Sequence, residues 1–200
     1  EWRITDTAVE ERHSTWAPDN RRIAFVSQQD GDWDIYALDT YLITEATNPV
    51  VLRNIKKTRL TATASTDWEP AWSPRGSQIA FSTDRDGGKF HIWVMSSDGA
   101  NQTSLTSGFN YDDMQPSWSP DGTKLTFASN RDGTWQIYTM NGDGTNQRRV
   151  SNNNFNDRHP SWSDDGTRIA FQTDREGTDM VYVMNVDGTS TARVPPSGMF

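Results

Sequence analysis

Four polar side chains of types that bind metals or transfer protons occupy one fixed position in a repeated pattern. They stand three residues before four regularly placed tryptophans, and they are His13, Glu69, Gln115 and His159. Two imidazoles, a carboxylate and an amide, if brought together, would suit a divalent cation such as Zn²⁺, Mn²⁺ or Ni²⁺. They would equally suit a small ligand with hydrogen-bonding groups. The competing interpretation is structural, because polar side chains in such positions often order loops.

Two further sets of residues accompany these four. Carboxylates stand two positions earlier in each repeat, at Glu11, Asp67, Asp113 and Asp157. Short carboxylate side chains commonly order a loop by accepting hydrogen bonds from its backbone amides. Trp68 and Tyr111, in the same connections, are candidates either to stack on a sugar ring or to pack against neighbouring loops.

The tryptophans that anchor the pattern define an internal repeat. They are Trp16, Trp72, Trp118 and Trp162, and each is followed nine residues later by a phenylalanine. The intervals between them are 56, 46 and 44 residues. A period in the forties with several short strands per unit is typical of β-propeller blades.

Each repeat is predicted to contain four strands. The first carries the tryptophan, with predicted bounds of 14–17, 70–73, 116–119 and 160–163. The second carries an Ile-Ala-Phe or Leu-Thr-Phe core, and turns with glycine, mostly Asp-Gly, separate the strands, as tight hairpins require. The predicted first strands begin two residues before the tryptophan, so the polar residues, one position earlier still, are expected in the connection that enters each blade. In a propeller, that connection lies at the mouth of the central channel.

The predicted fold is therefore all-β: one propeller domain, 1–200, with four four-stranded blades. Both chain ends offer a fourth strand, at Arg3-Ile4-Thr5 and at Ala192-Arg193-Val194, and prolines directly follow the second. Since proline cannot donate to a strand ladder, we expect the N-terminal strand to complete the last blade and close the ring. The alternatives are that the chain is a fragment of a larger propeller or one subunit of a larger propeller.

An insertion at 40–55 in the first blade is either a longer hairpin or a docking element.

Composition narrows the function classes. The formal net charge of −8 argues against a nucleic-acid-binding surface. The absence of cysteine excludes disulfides, thiolate metal sites and cysteine nucleophiles. No apolar run approaches the roughly 20 residues that a membrane-spanning helix needs, so membrane insertion is not expected.

The repeat units resemble a known family. The stretches EPAWSPRGSQIAFSTDRDG, QPSWSPDGTKLTFASNRDG and HPSWSDDGTRIAFQTDREG look like the PD40 (WD40-like) repeats of TolB-like β-propellers. The resemblance implies a binding scaffold in the bacterial cell envelope, periplasmic or secreted. Oligogalacturonate lyases are similar in a second way, as propellers with His and Gln around a central metal. His13, Gln115 and His159 match that arrangement by position and type.

These observations favour a non-catalytic scaffold that binds a protein, a small molecule or a glycan at the channel mouth. The chain would act as a monomer or as a ring-completing oligomer. The alternative is a metal-assisted, lyase-like enzyme acting on carbohydrate. In that enzyme His13 and His159 would be metal ligands, with Glu69 and Gln115 completing the shell. No catalytic residue is assigned.

Overall fold

The computed structural model describes residue 5 and residues 8–40, 56–108 and 110–195. These residues form four antiparallel sheets of four strands each, without a helix. The strands of the first two sheets are β1 Glu11–Trp16, β2 Arg22–Ser27, β3 Asp34–Asp39, β4 Lys57–Arg59, β5 Asp67–Trp72, β6 Gln78–Thr83, β7 His91–Ser96 and β8 Thr103–Ser104. Those of the last two are β9 Asp113–Trp118, β10 Lys124–Ser129, β11 Gln136–Asn141, β12 Arg148–Arg149, β13 Asp157–Trp162, β14 Arg168–Thr173, β15 Met180–Asn185 and β16 Ala192–Arg193.

The predicted all-β propeller fold is confirmed, with each repeat forming one sheet in which consecutive strands pair. The blade core comes from the residues that the repeat pattern singled out. Phe81, Phe127 and Phe171 are almost completely buried. The insertion at 40–55 falls, apart from Thr40, outside the described residues. In the part of the chain that is described, no helix is long and apolar enough to span a membrane.

Each hydrophobic cluster between blades is built from two consecutive sheets. Ala80, Ile92 and Val94 of the second sheet pack against residues of the third that include Leu125 and Phe127. The first and second sheets, and the third and fourth, meet in the same way. Because each apolar face is covered only by the next sheet, a single blade has no closed core of its own.

The turns with Asp-Gly dock one blade onto the previous one. Gly99, between β7 and β8, has a φ of 90°, and a β-carbon there would lie 2.7 Å from the carbonyl oxygen of Leu60 in the preceding blade. Gln102 Nε2 donates to the same carbonyl at 3.1 Å. In the next blade, Gly144 and Gln147 meet Leu105 in the same arrangement. Glycine is therefore required at these turns both for the positive φ and for the close approach.

The last sheet is completed by a different strand from the one that the predicted ring closure requires. Its outermost strand is β16, paired with β15 through Tyr182 and Val183. The chain's own C-terminal strand thus holds the place that we expected for the N-terminal strand, of which residues 1–4 lie outside the described part. Val181 is 54 % exposed, whereas its equivalent Ile137 is 0 % exposed. The described sheets therefore form an open arc, in agreement with the alternative of a segment of, or subunit in, a larger propeller.

Phe127→Ala tests the packing between blades. We expect the substitution to lower the free energy of unfolding by about 3–5 kcal/mol, because it opens a cavity in the cluster that joins the second and third sheets. Urea denaturation followed by circular dichroism measures the change. Phe155→Ala is the matched control, since Phe155 is 43 % exposed and its removal should cost about 0.5 kcal/mol or less. Equal losses in the two variants would contradict this account of the core.

Candidate functional site

The four polar residues at the predicted channel mouth lie at a β-bulge in the first strand of each sheet. In every sheet the register shifts at this point, so that two residues of the first strand oppose one residue of the second. All four have positive φ: 51° at His13, 54° at Glu69, 63° at Gln115 and 51° at His159. A left-handed conformation costs an L-residue about 1–2 kcal/mol. The fold therefore maintains the same local strain four times.

The bulge corrects the sequence-based strand boundaries. The first strands begin three residues earlier than predicted, so the polar residues lie inside them and not in the preceding connection. Three of the bulge residues are followed by proline, at Pro70, Pro116 and Pro160. Proline is tolerated here because the second bulge residue lies outside the regular hydrogen-bond ladder.

The structure brings the four residues together. Together with the residue that follows each of them, they line one cavity of about 230 Å³ where the first strands of the four sheets converge. The consecutive first strands are in contact along the arc. Convergence at one mouth, predicted from the repeat, is therefore observed for His13, Glu69, Gln115 and His159.

Hydrogen bonds link the bulge of one blade to the bulge of the next. The backbone N–H of Gln115 donates to Glu69 Oε2 at 2.9 Å, and the backbone N–H of His159 donates to Gln115 Oε1 at 2.8 Å. Ser82 also donates to Glu69 Oε2, at 3.3 Å. Each of these side-chain oxygens thus satisfies the exposed amide of the neighbouring bulge. The same residues shape the mouth and join adjacent blades.

Partial desolvation at the mouth shifts the pKa values of its titratable residues. It lowers the pKa of His13, with a further contribution from Arg12 and a smaller one from His159. It also lowers the pKa of His159, assisted by Arg158. Burial raises the pKa of Glu69, and the hydrogen bonds from Gln115 and Ser82 oppose that rise. The two imidazoles are therefore neutral at pH 7. Nε2 of His159 accepts a hydrogen bond from Gln115 Nε2 at 3.2 Å, so His159 offers a ligand only its Nδ1–H donor.

A metal centre at the mouth stays a prediction. Among the described residues, no three His, Cys, Asp or Glu side chains are grouped so that they could hold a metal ion. One carboxylate oxygen of Glu69 and the amide oxygen of Gln115 already accept hydrogen bonds from backbone amides. A bound cation would have to compete with these bonds for its oxygen ligands.

The carboxylates five residues before each tryptophan have a structural role. Asp67, Asp113 and Asp157 are fully buried and pair with arginines of the turn between the second and third strands, namely Arg85 at 2.9 Å, Arg131 at 2.8 Å and Arg175 at 3.5 Å. Glu11 differs, because it is only partly buried and lies 4.0 Å from Lys57. These carboxylates anchor the strands that carry the mouth residues.

The two stacking candidates are engaged in contacts within the protein. The ring of Trp68 lies 4.6 Å from that of Trp33, edge to face, and 4.8 Å from that of His13. The ring of Tyr111 meets His91 edge to face at 6.0 Å. The tyrosine hydroxyl donates to the carbonyl of Ser107. Packing against neighbours, the second of the two expectations, is what the structure shows.

The sequence reasoning missed two cationic residues next to the mouth residues in the chain. Arg12 and Arg158 directly precede His13 and His159. Their guanidinium groups lie over the rings of Trp33 at 5.4 Å and Trp135 at 5.3 Å. The sequence does contain a signal for them, because both arginines lie four residues before a tryptophan of the repeat. The same position is occupied by Trp68 and Met114 in the other two blades.

A glycine–alanine pair at position 159 tests the strain of the bulge. His159→Ala removes the side chain and keeps the left-handed strain, whereas His159→Gly removes both. We expect the glycine variant to be more stable than the alanine variant by about 0.5–1 kcal/mol, after allowance for the greater freedom of glycine in the unfolded chain. Urea unfolding of both variants gives the difference. An alanine variant as stable as the glycine variant would mean that the bulge is unstrained.

Comparison with known proteins places these features in a family. A family model described as PD40, the TolB beta propeller domain, matches residues 100–199. A structure described as TolB from Agrobacterium tumefaciens superposes with a TM-score of 0.80 at 24 % identity, over 97 % of this chain and 65 % of that one. TolB from Acinetobacter baumannii gives a TM-score of 0.77 at 21 % identity, over 96 % and 45 %.

Peptidases are also among the similar proteins. The uncharacterised peptidase YuxL of Bacillus subtilis is 32 % identical over 92 residues, which are 46 % of this chain and 13 % of that protein. The chain thus spans only part of the relatives that it matches. Since the family model covers half of the sequence and the blades have the predicted architecture, this chain belongs to the PD40 family of TolB beta-propeller domains.

Proposed function

We propose that this chain is a non-catalytic binding scaffold whose ligand-binding face is the channel mouth. The observation that carries the proposal is the convergence of four strained bulge residues on one cavity. Backbone strain persists only where the surrounding structure enforces it, and it clusters at functional sites. Here the strain presents His13 and His159, both exposed, at the mouth.

A protein segment is the ligand that we propose. Two imidazoles, a carboxylate and an amide line the cavity. Next to these residues in the sequence, Trp68 packs on Trp33, and the guanidinium groups of Arg12 and Arg158 lie over Trp33 and Trp135. Aromatic and arginine side chains are the types enriched at the energetic centres of protein interfaces. The resemblance to TolB-like propellers implies a protein partner, which supports this choice over a glycan. By the same resemblance, we propose a location in the cell envelope.

A second candidate follows from the peptidase relatives. The match to YuxL reaches 32 % identity. A puromycin-hydrolysing peptidase of Mycobacterium tuberculosis superposes with a TM-score of 0.71 at 18 % identity, over 94 % of this chain and 30 % of that one. The chain would then be an accessory propeller in a longer hydrolase and would still contribute binding. Likeness to an oligogalacturonate lyase of Vibrio parahaemolyticus, at 13 % identity and a TM-score of 0.72, supports the shared fold alone.

Site-specific photo-crosslinking tests the proposed binding face. Phe155, exposed in the connection that leads to the mouth residues of the fourth sheet, is replaced by p-benzoylphenylalanine, which preserves its aromatic character. The control carries the same replacement at Ala100, which is exposed in the turn between β7 and β8 at the opposite end of the sheets. We expect a discrete crosslinked protein from position 155 in an extract of the source organism, and none from position 100.

A substitution in the mouth completes this test. Gln115→Ala in the position-155 protein removes the hydrogen bond to the neighbouring bulge, and we expect it to weaken the crosslinked band at least threefold. Circular dichroism shows whether the variant stays folded. Equal crosslinking from both positions, or a band unaffected by Gln115→Ala in a folded protein, would rule out the mouth as the binding face.

A further inference from the structure

His91 is a buried histidine with a hydrogen-bond acceptor on each side of its ring. It begins β7 and is 1 % exposed. Its Nε2 lies 2.8 Å from the carbonyl oxygen of Gly108, in the connection between the second and third blades. Its Nδ1 lies 3.6 Å from Oδ2 of Asp113, at the start of β9. Neither Nδ1 nor that carboxylate oxygen has a hydrogen-bond partner of its own.

This geometry favours the doubly protonated ring. A carbonyl oxygen only accepts hydrogen bonds, so Nε2 must carry a proton to bond Gly108. Asp113 is ionised through its 2.8 Å pair with Arg131, so Nδ1 faces an acceptor as well. Either neutral tautomer would place a nitrogen lone pair against an oxygen lone pair in a buried site. Only the imidazolium meets both acceptors with a donor.

The equivalent residue of the next blade is a neutral glutamine that also donates hydrogen bonds to the connection between blades. Gln136, at the start of β11, donates through Nε2 to the carbonyls of Asn153 at 3.1 Å and Phe155 at 2.8 Å. The first residue of the third strand thus fastens the connection to the following blade in both sheets. In the second blade a histidine, which titrates near neutral pH, replaces the amide.

We propose that His91 is a pH-dependent latch that holds the connection between the second and third blades while its ring is charged. The latch fixes the Gly108 carbonyl and the start of β9, two residues before the mouth residue Gln115. The position of the Tyr111 ring also depends on Gly108. A β-carbon at Gly108 would lie 2.3 Å from the Tyr111 ring, so the ring packs directly on this glycine.

The charged groups around the ring support the latch. Asp113 is the main cause of a raised pKa for His91; burial opposes it, and Gly108 and Asp86 add to it. Burial would raise the pKa of Asp113, but His91 and Arg131 outweigh it and hold that pKa below its ordinary value. A raised histidine pKa stabilises the fold fully below about pH 6.5. That stability is lost as the pH rises through the raised value.

His91→Gln tests the latch, because glutamine already serves at the equivalent position 136. In the native protein we expect the unfolding equilibrium constant to increase by up to about tenfold per pH unit between pH 6.5 and the folded-state pKa. We expect His91→Gln to lose this dependence and remain folded. His159→Gln is the control and should keep it, because the pKa of His159 is shifted in the opposite direction.

Nuclear magnetic resonance gives a second readout that does not depend on the variant folding. We expect ¹⁵N shifts of the native His91 ring at pH 6.5 to show both nitrogens protonated. We also expect exchange of the Asp113 amide, which donates to Phe90 O at 2.8 Å, to accelerate beyond the intrinsic rate as the ring loses its proton. A neutral ring at pH 6.5, or an unchanged pH dependence in His91→Gln, would overturn the proposal.

Discussion

The whole structure depends on one constraint: no blade can cover its own apolar faces. The central residue Ile137 is completely buried because the fourth sheet covers it, whereas the equivalent Val181 is largely exposed in the last described sheet. Since hydrophobic burial is the main favourable contribution to folding, each sheet is stabilised chiefly by its neighbours. The turns at Gly99 and Gly144 fit against the preceding blade for the same reason, and they set the distance between consecutive sheets.

The requirement to join blades also explains the polar mouth. The carboxylate of Glu69 and the amide of Gln115 each bond the backbone N–H of the next bulge. These hydrogen bonds join consecutive bulges, so the two side chains are part of the scaffold as well as of the surface. His13 and His159 are exposed at the two ends of the described arc, where their rings are available to a ligand.

Buried ion pairs also stabilise the blades. Buried aspartates pair with arginines at the same place in the second, third and fourth sheets. Breaking such a pair leaves an uncompensated buried charge, which is strongly destabilising. His91 of the second sheet reaches this device in the third sheet, so that the pair Asp113–Arg131 also faces an imidazole. One recurrent motif has thereby acquired a pH-sensitive form in a single blade.

The period of the tryptophans, the nine-residue step to phenylalanine and the turns with glycine determined the blades and the order of their strands. β2 and β10 contain the Ile-Ala-Phe and Leu-Thr-Phe cores that the pattern assigned to the second strand, because hairpin turns are local properties of the chain. The β-bulge escaped prediction, because local preference disfavours left-handed residues such as Gln115 before proline, and only contacts with neighbouring sheets hold them there. Which of the two terminal strands completes the last blade was likewise decided by the tertiary structure, because both chain ends offered a strand. The hydrogen bonds from one bulge to the next were also visible only there, because they join residues that lie 44 or 46 positions apart in the sequence.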